Sequence, residues 1–520
     1  MFARKRFTKA IIFSVVFLLI TGICFAAGQN AGVNGKKEML IVTDFLPESL
    51  DPAYLDTQTS LHFTGVIEYL ARISSDGKVE PELAKSFRNI SSNTWEIKLR
   101  PNVKFWSGKM VDAKAVQASL ERSRKLSPQA EQILSGVQIN VIDNLTLHLI
   151  TESPNPFLLT NIATSTFLAI HNADAYGDKL NPLDLKAMDT TGFYRVVQFE
   201  PREKMVVARF NGYWGKRPKL DRIVFTRIAD PQSLVIEALS GKPHIVRSIP
   251  PEGVALIKKS KEMKLLQIKN PGITSLYLNT RLPQLADVRV RQAIGWGIDR
   301  QEIINLGYDG IGVPAPSWYA SNSAYPEAKK TGFIKYDPKR AGQMLDEAGW
   351  SMDQTGYRKK NGQTLKLIFI TYGIHKAACE AIQSQLKKIG IDIEIQYSKD
   401  WGFVITQMKE EKWAAALISE ESFSLSDLWR HFATEGDINY SHFDDKIMNR
   451  LIENIGNSFD VKTRHNLTLD ANKRAFETAI LIPVMGPSIS LAVNNNVKGY
   501  KPHYSRFWEY LVTPDLDLTK

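Results

Sequence analysis

Hydrophobic and polar positions change rhythm repeatedly along this chain of 520 residues. Met39-Leu40-Ile41-Val42-Thr43 is a short apolar run and predicts a buried strand. Trp95 to Arg100 alternates strictly, the period of a half-buried strand. Val141 to Ile150 alternates again around Asp143-Asn144, which predicts two strands and a turn. Asp112 is placed to cap a helix carrying Ala113, Val116 and Leu120 at helical spacing. Leu61 to Ala71 reads as a helix as well.

Beyond Gly192 the strands lengthen: Phe193 to Phe199, Met205 to Phe210 and Arg222 to Ile228. Pro231 to Leu239 is helical, and Lys264 to Ile268 and Ser275 to Asn279 are strands. A helix after Asp287 carries Val290, Ala293, Ile294 and Ile298 on one face, and Lys339 to Ala348 is another, stopped by Gly349. Leu365 to Thr371, Ala377 to Lys388 and Ile391 to Tyr397 form a split β-α-β unit. Met408 to Ile418 and Ala479 to Met485 add further strands. Such alternation implies an α/β protein with mixed sheets flanked by helices.

The first 26 residues have a different character. Arg4, Lys5, Arg6 and Lys9 precede an apolar run from Ile11 to Ile20, and Cys24-Phe25-Ala26 supplies small residues behind it. Charge, a short apolar core and a small-x-small site make a secretory signal, cut after Ala26. The run is shorter than the ~20 apolar residues that span a bilayer. A lipid on Cys24 is the alternative, although the branched Ile23 stands where a lipobox wants a small residue. Cleavage leaves 494 residues, too many for one core, so two or three domains are expected.

Removing the four basic residues lowers the net charge from +11 to +7, with no polybasic block of the kind nucleic acid requires. Cys379 is then the single cysteine, so neither a disulfide within the chain nor a multi-cysteine metal site can form. It lies four residues after His375, on one helical face in this reading, and is taken as a buried structural thiol.

Six stretches in order resemble one family. Leu50-Asp51-Pro52, with Asp76-Gly77-Lys78-Val79-Glu80-Pro81-Glu82-Leu83-Ala84, forms an opening block, and Trp95 to Phe105 a second. Asn211-Gly212-Tyr213-Trp214-Gly215-Lys216-Arg217-Pro218 follows, then Asp287 to Ile294 running on to Ile298-Asp299-Arg300. Tyr336-Asp337-Pro338 with Ala341, Leu345 and Ala348-Gly349-Trp350 completes the set. Together they are similar to the family 5 extracytoplasmic solute-binding proteins, the peptide and nickel receptors of ABC importers. Two blocks depart from the family pattern at structural turns: Thr190-Thr191-Gly192-Phe193-Tyr194 and Phe105-Trp106-Ser107-Gly108.

The resemblance implies a two-lobed periplasmic-binding-protein fold (type II, cluster C) with an extra subdomain in the first lobe. Lobe I maps to 38–72, 187–278 and 488–520, the subdomain to 73–186 and lobe II to 279–487. It implies a pair of crossing strands, a cleft that closes on its ligand, and a monomer outside the cytoplasm serving permease and ATPase subunits. Asp51-Pro52 is expected to be a turn, Tyr213-Trp214 to pack a loop onto the lobe, and Arg289, Arg291 and Asp299 to be helix-surface charges or ion pairs.

The sequence leaves the cargo open. Peptide-binding relatives carry an Asp that neutralises the peptide ammonium, and that position falls on Ser422, with Glu420 or Glu421 supplying the carboxylate in a shifted register. Tyr54, Ser419 and Phe423 join them as candidate ligand contacts, with Tyr504, Arg506 and Trp508 near the C-terminus. Nickel-chelate binders hold their ligand with aromatics, an arginine and sometimes one histidine. His431 and His442 are the metal candidates, although the ten residues between them are not a metal-ligand spacing. The arginine such relatives carry after Pro154-Asn155-Pro156-Phe157 has no counterpart, Thr164 to Thr166 occupying that region. A short peptide, a metal chelate and another small amphiphile all stay open, and no cofactor is implied. A hydrolase would need a nucleophile with a base or a metal cluster, and neither Gly-x-Ser-x-Gly nor His-Glu-x-x-His occurs. A sensor or chaperone on the same fold is the remaining alternative.

Overall fold

The computed structural model describes residues 37–54, 61–74, 78–180, 185, 188–269, 272–322, 324–398, 401–409, 413–420, 426–503 and 511–519. The signal segment with Cys24, and the candidates Glu421, Ser422, Phe423, Tyr504, Arg506 and Trp508, lie outside them. Among the described residues no helix is long and apolar enough to cross a membrane.

Two large sheets organise the chain. The first has seven strands in the order Met263–Lys269, Ser488–Asn494, Ile245–Val246, Glu38–Thr43, Arg222–Arg227, Lys204–Arg209 and Tyr194–Glu200. The second has six: Val313–Pro314, Leu481–Gly486, Ile273–Leu278, Ala415–Glu420, Lys366–Tyr372 and Asp392–Ser398. Period-two burial gives each sheet two packed faces. Met39 and Ile41 enter one core and Val42 another. In the second sheet Leu276, Leu278, Ala415 and Leu417 face one core, while Tyr277, Ala416 and Ile418 face the other. A third, antiparallel sheet, Ala84–Ser91, Thr94–Leu99, Thr146–Thr151 and Val137–Asp143, has its own core under the helix Ala113–Leu126.

The two large sheets are joined by strands that cross between them. Met263–Lys269 pairs antiparallel with Ser488–Asn494 in the first, and the chain continues on either side into Ile273–Leu278 and Leu481–Gly486, paired antiparallel in the second. Gly486 and Ser488 therefore flank the return crossing, with Pro487 between them.

Several expectations hold. Asp112 caps its helix by accepting from the Ala115 N–H at 2.8 Å, and the alternating segments are strands. Gly192 of the Thr190–Tyr194 block lies against the Val66 backbone, where a Cβ would come within 2.3 Å of the carbonyl carbon.

Others are corrected. Leu61 to Ala71 is helical only to Phe63, because Gly65 adopts φ +73° and the chain turns into the strand Ala71–Ile73. The strand expected from Met408 to Ile418 starts late: Met408 and Lys409 end the helix Trp401–Lys409, and the strand is Ala415–Glu420. The β-α-β unit is not split, since Lys366–Tyr372 and Asp392–Ser398 are direct parallel neighbours. Arg291 is no surface charge. It is 5% exposed and donates to the carbonyls of Leu285, Ala286 and Thr478.

Asp51 does more than start a turn. It is fully buried and takes a bidentate pair from Arg122, at 2.9 and 2.7 Å, while its Oδ1 also accepts from the Ala53 N–H. Arg122 spends further donors on the Gly177 and Lys179 carbonyls and lies over the Tyr176 ring. The landmark Tyr213-Trp214 likewise acts through a buried acid: both side chains donate to Glu68, at 2.7 and 3.1 Å. Burial, and then Glu82, push the Glu68 carboxyl up to about 8.

Breaking a buried pair on one side leaves an uncompensated charge, at a cost of about 3–5 kcal/mol. Asp51→Asn is therefore expected to lower the urea midpoint of unfolding well below that of the wild type. An unchanged midpoint would show that the pair is dispensable.

Candidate functional site

The crossing strands decide which sheet edges face each other. Glu38–Thr43 and Ile245–Val246 run parallel, and both are directed toward the crossing because Ile245–Val246 is antiparallel to Ser488–Asn494. Their carboxyl ends deliver Asp44 and Arg247 to the edge facing the second sheet, the position where open α/β sheets place ligands. Arg247 is 5% exposed, donates to Asp44 at 3.1 Å and lies over the Phe63 ring.

The second sheet presents the end of its central strand to the same opening. Glu420 sits opposite Ile273 and Ser419 opposite Thr274, immediately after the outward crossing. The Ser419 hydroxyl is 2.7 Å from Thr274 Oγ1 and 3.2 Å from His375 Nε2, and His375 Nδ1 is 2.7 Å from the Tyr308 hydroxyl. Burial pushes His375 down to about 4, so this relay is neutral at physiological pH. His375 precedes the helix Lys376–Lys387 rather than sharing a face with Cys379. Cys379 is core, its thiol pushed up to about 12 by burial.

Glu420 is the charged residue of this edge. Burial raises its carboxyl to about 7, Arg430 opposes the rise, and Asp427 and Asp437 add to it. Burial, and then the charge of Glu420, raise the phenols of Tyr277, Tyr372 and Tyr440. Arg430 is committed to Asp437 by hydrogen bonds of 3.0 and 3.2 Å from Nε and 3.0 Å from Nη2. The result is an aromatic setting with a surplus of carboxylate, suited to a cationic centre.

The two candidate histidines stand apart in kind. His431 is 2% exposed, its Nδ1 3.0 Å from the Tyr277 hydroxyl and its ring 4.7 Å from that of Trp318. Desolvation, aided by Arg430, pushes it down to about 3, which leaves it neutral. His442 occupies a turn at φ +52° and donates its backbone N–H to the Asn439 carbonyl. Among the described residues no group of three or more His, Cys, Asp or Glu is arranged to hold a metal. Tyr54 is half-buried on the Asp51-Pro52 turn, its N–H donating to the Asp51 carbonyl. Asp44, Arg247 and His375 were not among the residues expected at the site. For Asp44 the signal was its place just beyond the predicted strand Met39 to Thr43.

Comparison with known proteins agrees with this geometry. Residues 78–425 match the model for bacterial extracellular solute-binding proteins, family 5 middle. The nickel-binding protein NikA of Staphylococcus aureus is 28% identical over 502 residues, covering 95% of each chain. The glutathione-binding protein GsiB of Pectobacterium atrosepticum is 26% identical over 396 residues, covering 73% of this chain and 72% of the relative. The crystal structure of a nickel ABC transporter protein from Bacillus halodurans superposes with a TM-score of 0.82 at 25% identity, covering 93% of this chain and all of that one. The two sheets and their crossing strands are thus those of a two-lobed solute receptor. The chain belongs to family 5 of the bacterial extracellular solute-binding proteins, and it is a transport receptor of an ABC importer rather than an enzyme.

The raised Glu420 carboxyl has a consequence for stability. A group that binds its proton more tightly when folded contributes stability present in full below its unfolded value, near 4.5, and lost as pH rises through about 7. Without added solute, Glu420→Gln is expected to flatten the fall in melting temperature across that window. Parallel pH profiles for variant and wild type would contradict the assignment.

Proposed function

We propose that this receptor captures a small solute with a cationic centre between its lobes, nickel in a small organic chelate being the best-supported form. The observation that carries the reading is Glu420, a carboxylate at the end of the strand Ala415–Glu420, raised by burial and by the charges of Asp427 and Asp437. An arriving cation relieves that unfavourable charge, and in water-poor surroundings the attraction is stronger than in bulk. The full-length likeness to a nickel-binding relative supports the same cargo.

In this reading Ser419 and Tyr54 add polar and aromatic contacts. Glu421, Ser422, Phe423, Tyr504, Arg506 and Trp508 keep the ligand-contact roles proposed from sequence. His431 is the weaker metal candidate of the two histidines, because its Nδ1 already meets Tyr277. Arg247 beside Asp44 is suited to a carboxylate of the chelator. The lobes of 38–72, 187–278 and 488–520 and of 279–487, with the subdomain of 73–186, close over the solute as it binds. The chain is exported by residues 1–26, works as a monomer outside the cytoplasm and hands its cargo to a permease driven by ATPase subunits. The second reading is a short peptide whose ammonium meets Glu420, supported by the glutathione-binding relative.

Titration calorimetry at pH 7.5 with nickel and L-histidine, and separately with dipeptides, tests both. A charge-assisted contact is worth roughly 1.5–3 kcal/mol, so Glu420→Gln is expected to weaken nickel-histidine binding by about ten- to a hundredfold. Affinity is also expected to rise with pH up to about 7, as the cation displaces the Glu420 proton. Binding of dipeptides alone would replace the chelate by the peptide, and equal affinity in the variant would remove Glu420 from the site.

A further inference from the structure

Two apolar side chains leave their own lobe to pack on the other. Ile311 belongs to the six-stranded side of the molecule, yet it lies in the core formed by Val42, Val246, Ile257 and Met263. It is carried there by the turn Asp309-Gly310-Ile311-Gly312, in which Asp309, Gly310 and Gly312 all have positive φ. A Cβ on Gly312 would lie 2.8 Å from Met485 Sδ and 3.3 Å from the Gly486 carbonyl. Ile311 therefore sits beside the crossing strands, where a rotation of one lobe on the other moves atoms least.

Phe157 makes the reverse exchange. It precedes the helix Leu158–Thr164 under the four-stranded sheet, but it packs against the core of Tyr277, Trp318, Phe432 and Ala475. Among the described residues it is the one member of that cluster from before Ile273. Its position is built rather than incidental. Asn155, between Pro154 and Pro156, accepts the Phe157 N–H on Oδ1 at 3.0 Å and the Trp95 indole N–H on its carbonyl at 3.0 Å. Across from it, Asp460 caps the helix Val461–Thr478, and Arg464 donates to the Ser458 carbonyl at 2.8 Å. That bond turns the guanidinium back over the helix start, 5.6 Å from the centre of the Phe157 ring. Trp95 and Phe459 stand beside this contact with ring centroids 6.4 Å apart.

We propose that Phe157 and Arg464, supported by Trp95 and Phe459, form a latch between the four-stranded sheet unit and the second lobe that sets the balance of open and closed receptor. The inference rests on the hinge motion proposed above. The chain does not link Phe157 to Arg464 except through the crossing strands, so separation of the lobes breaks their contact while Ile311 keeps its own. The latch adds closing free energy independent of cargo. It raises the closed fraction of the empty receptor and slows release of the loaded one.

The test is single-molecule energy transfer between dyes on Ser240→Cys and Ser351→Cys, one exposed residue on each lobe, since native Cys379 is buried and escapes labelling. Phe157→Lys places a like charge against Arg464 and is expected to shift the closed-to-open ratio of the empty protein toward open by about tenfold. Adding Arg464→Glu to it restores attraction, and the ratio is expected to return at least halfway. A Phe157→Lys distribution that overlays the wild type, or no recovery in the double variant, would overturn the latch. Should Phe157→Lys shift the ratio while nickel with L-histidine leaves the wild type unmoved, the latch stands and the cargo reading falls.

Discussion

Two antiparallel strand pairs placed end to end carry the connection between the lobes. The Lys269–Ser488 pairing closes one sheet, and the pairing of Thr274 with Met485 opens the next. This constraint does two things at once. It fixes the direction of the neighbouring strands, so that Glu38–Thr43, Ile245–Val246 and Ala415–Glu420 all deliver their last residues to the space between the sheets. It also leaves few residues to absorb a rotation, Gly486-Pro487-Ser488 among them, which is the geometry the proposed closure requires.

The electrostatics of the opening follow from that placement. A carboxylate desolvated at the end of a central strand is harder to ionise than one in water. Arg430 cannot fully compensate, because it is held by Asp437. Glu420 thus keeps an unfavourable charge that a cationic solute would relieve. The neutral chain Thr274–Ser419–His375–Tyr308 stiffens the same edge without adding charge.

The sequence made the fold legible where a local rule has one physical solution. Asp112 followed by apolar residues at helical spacing can hardly be anything but a capped helix, and strict alternation around Asp143-Asn144 can hardly avoid a hairpin. Short apolar runs are ambiguous between buried strand and buried helix, and there the reading slipped. Leu61 to Ala71 was broken by Gly65, and Met408-Lys409, the end of a helix, was taken into the strand that follows it. Long-range partners were invisible altogether. Nothing near Asp51 announces Arg122, seventy-one positions on, and nothing near Tyr213-Trp214 announces Glu68. The family pattern marked these residues, but only the tertiary contacts explain them. Of the candidate site, Glu420 was legible through its register against relatives. Its raised proton affinity was not, because burial and the nearby Asp427 and Asp437 act only once the chain has folded.

The proposed cargo of the cleft is a small cationic or metal-centred solute. Native mass spectrometry of the receptor released gently from cells bears on it most directly. A single discrete mass above the apo-protein, carrying the isotope pattern of nickel and lost on acidification through the range where Glu420 protonates, is the expected result. A ladder of peptide masses retained at every pH would contradict it.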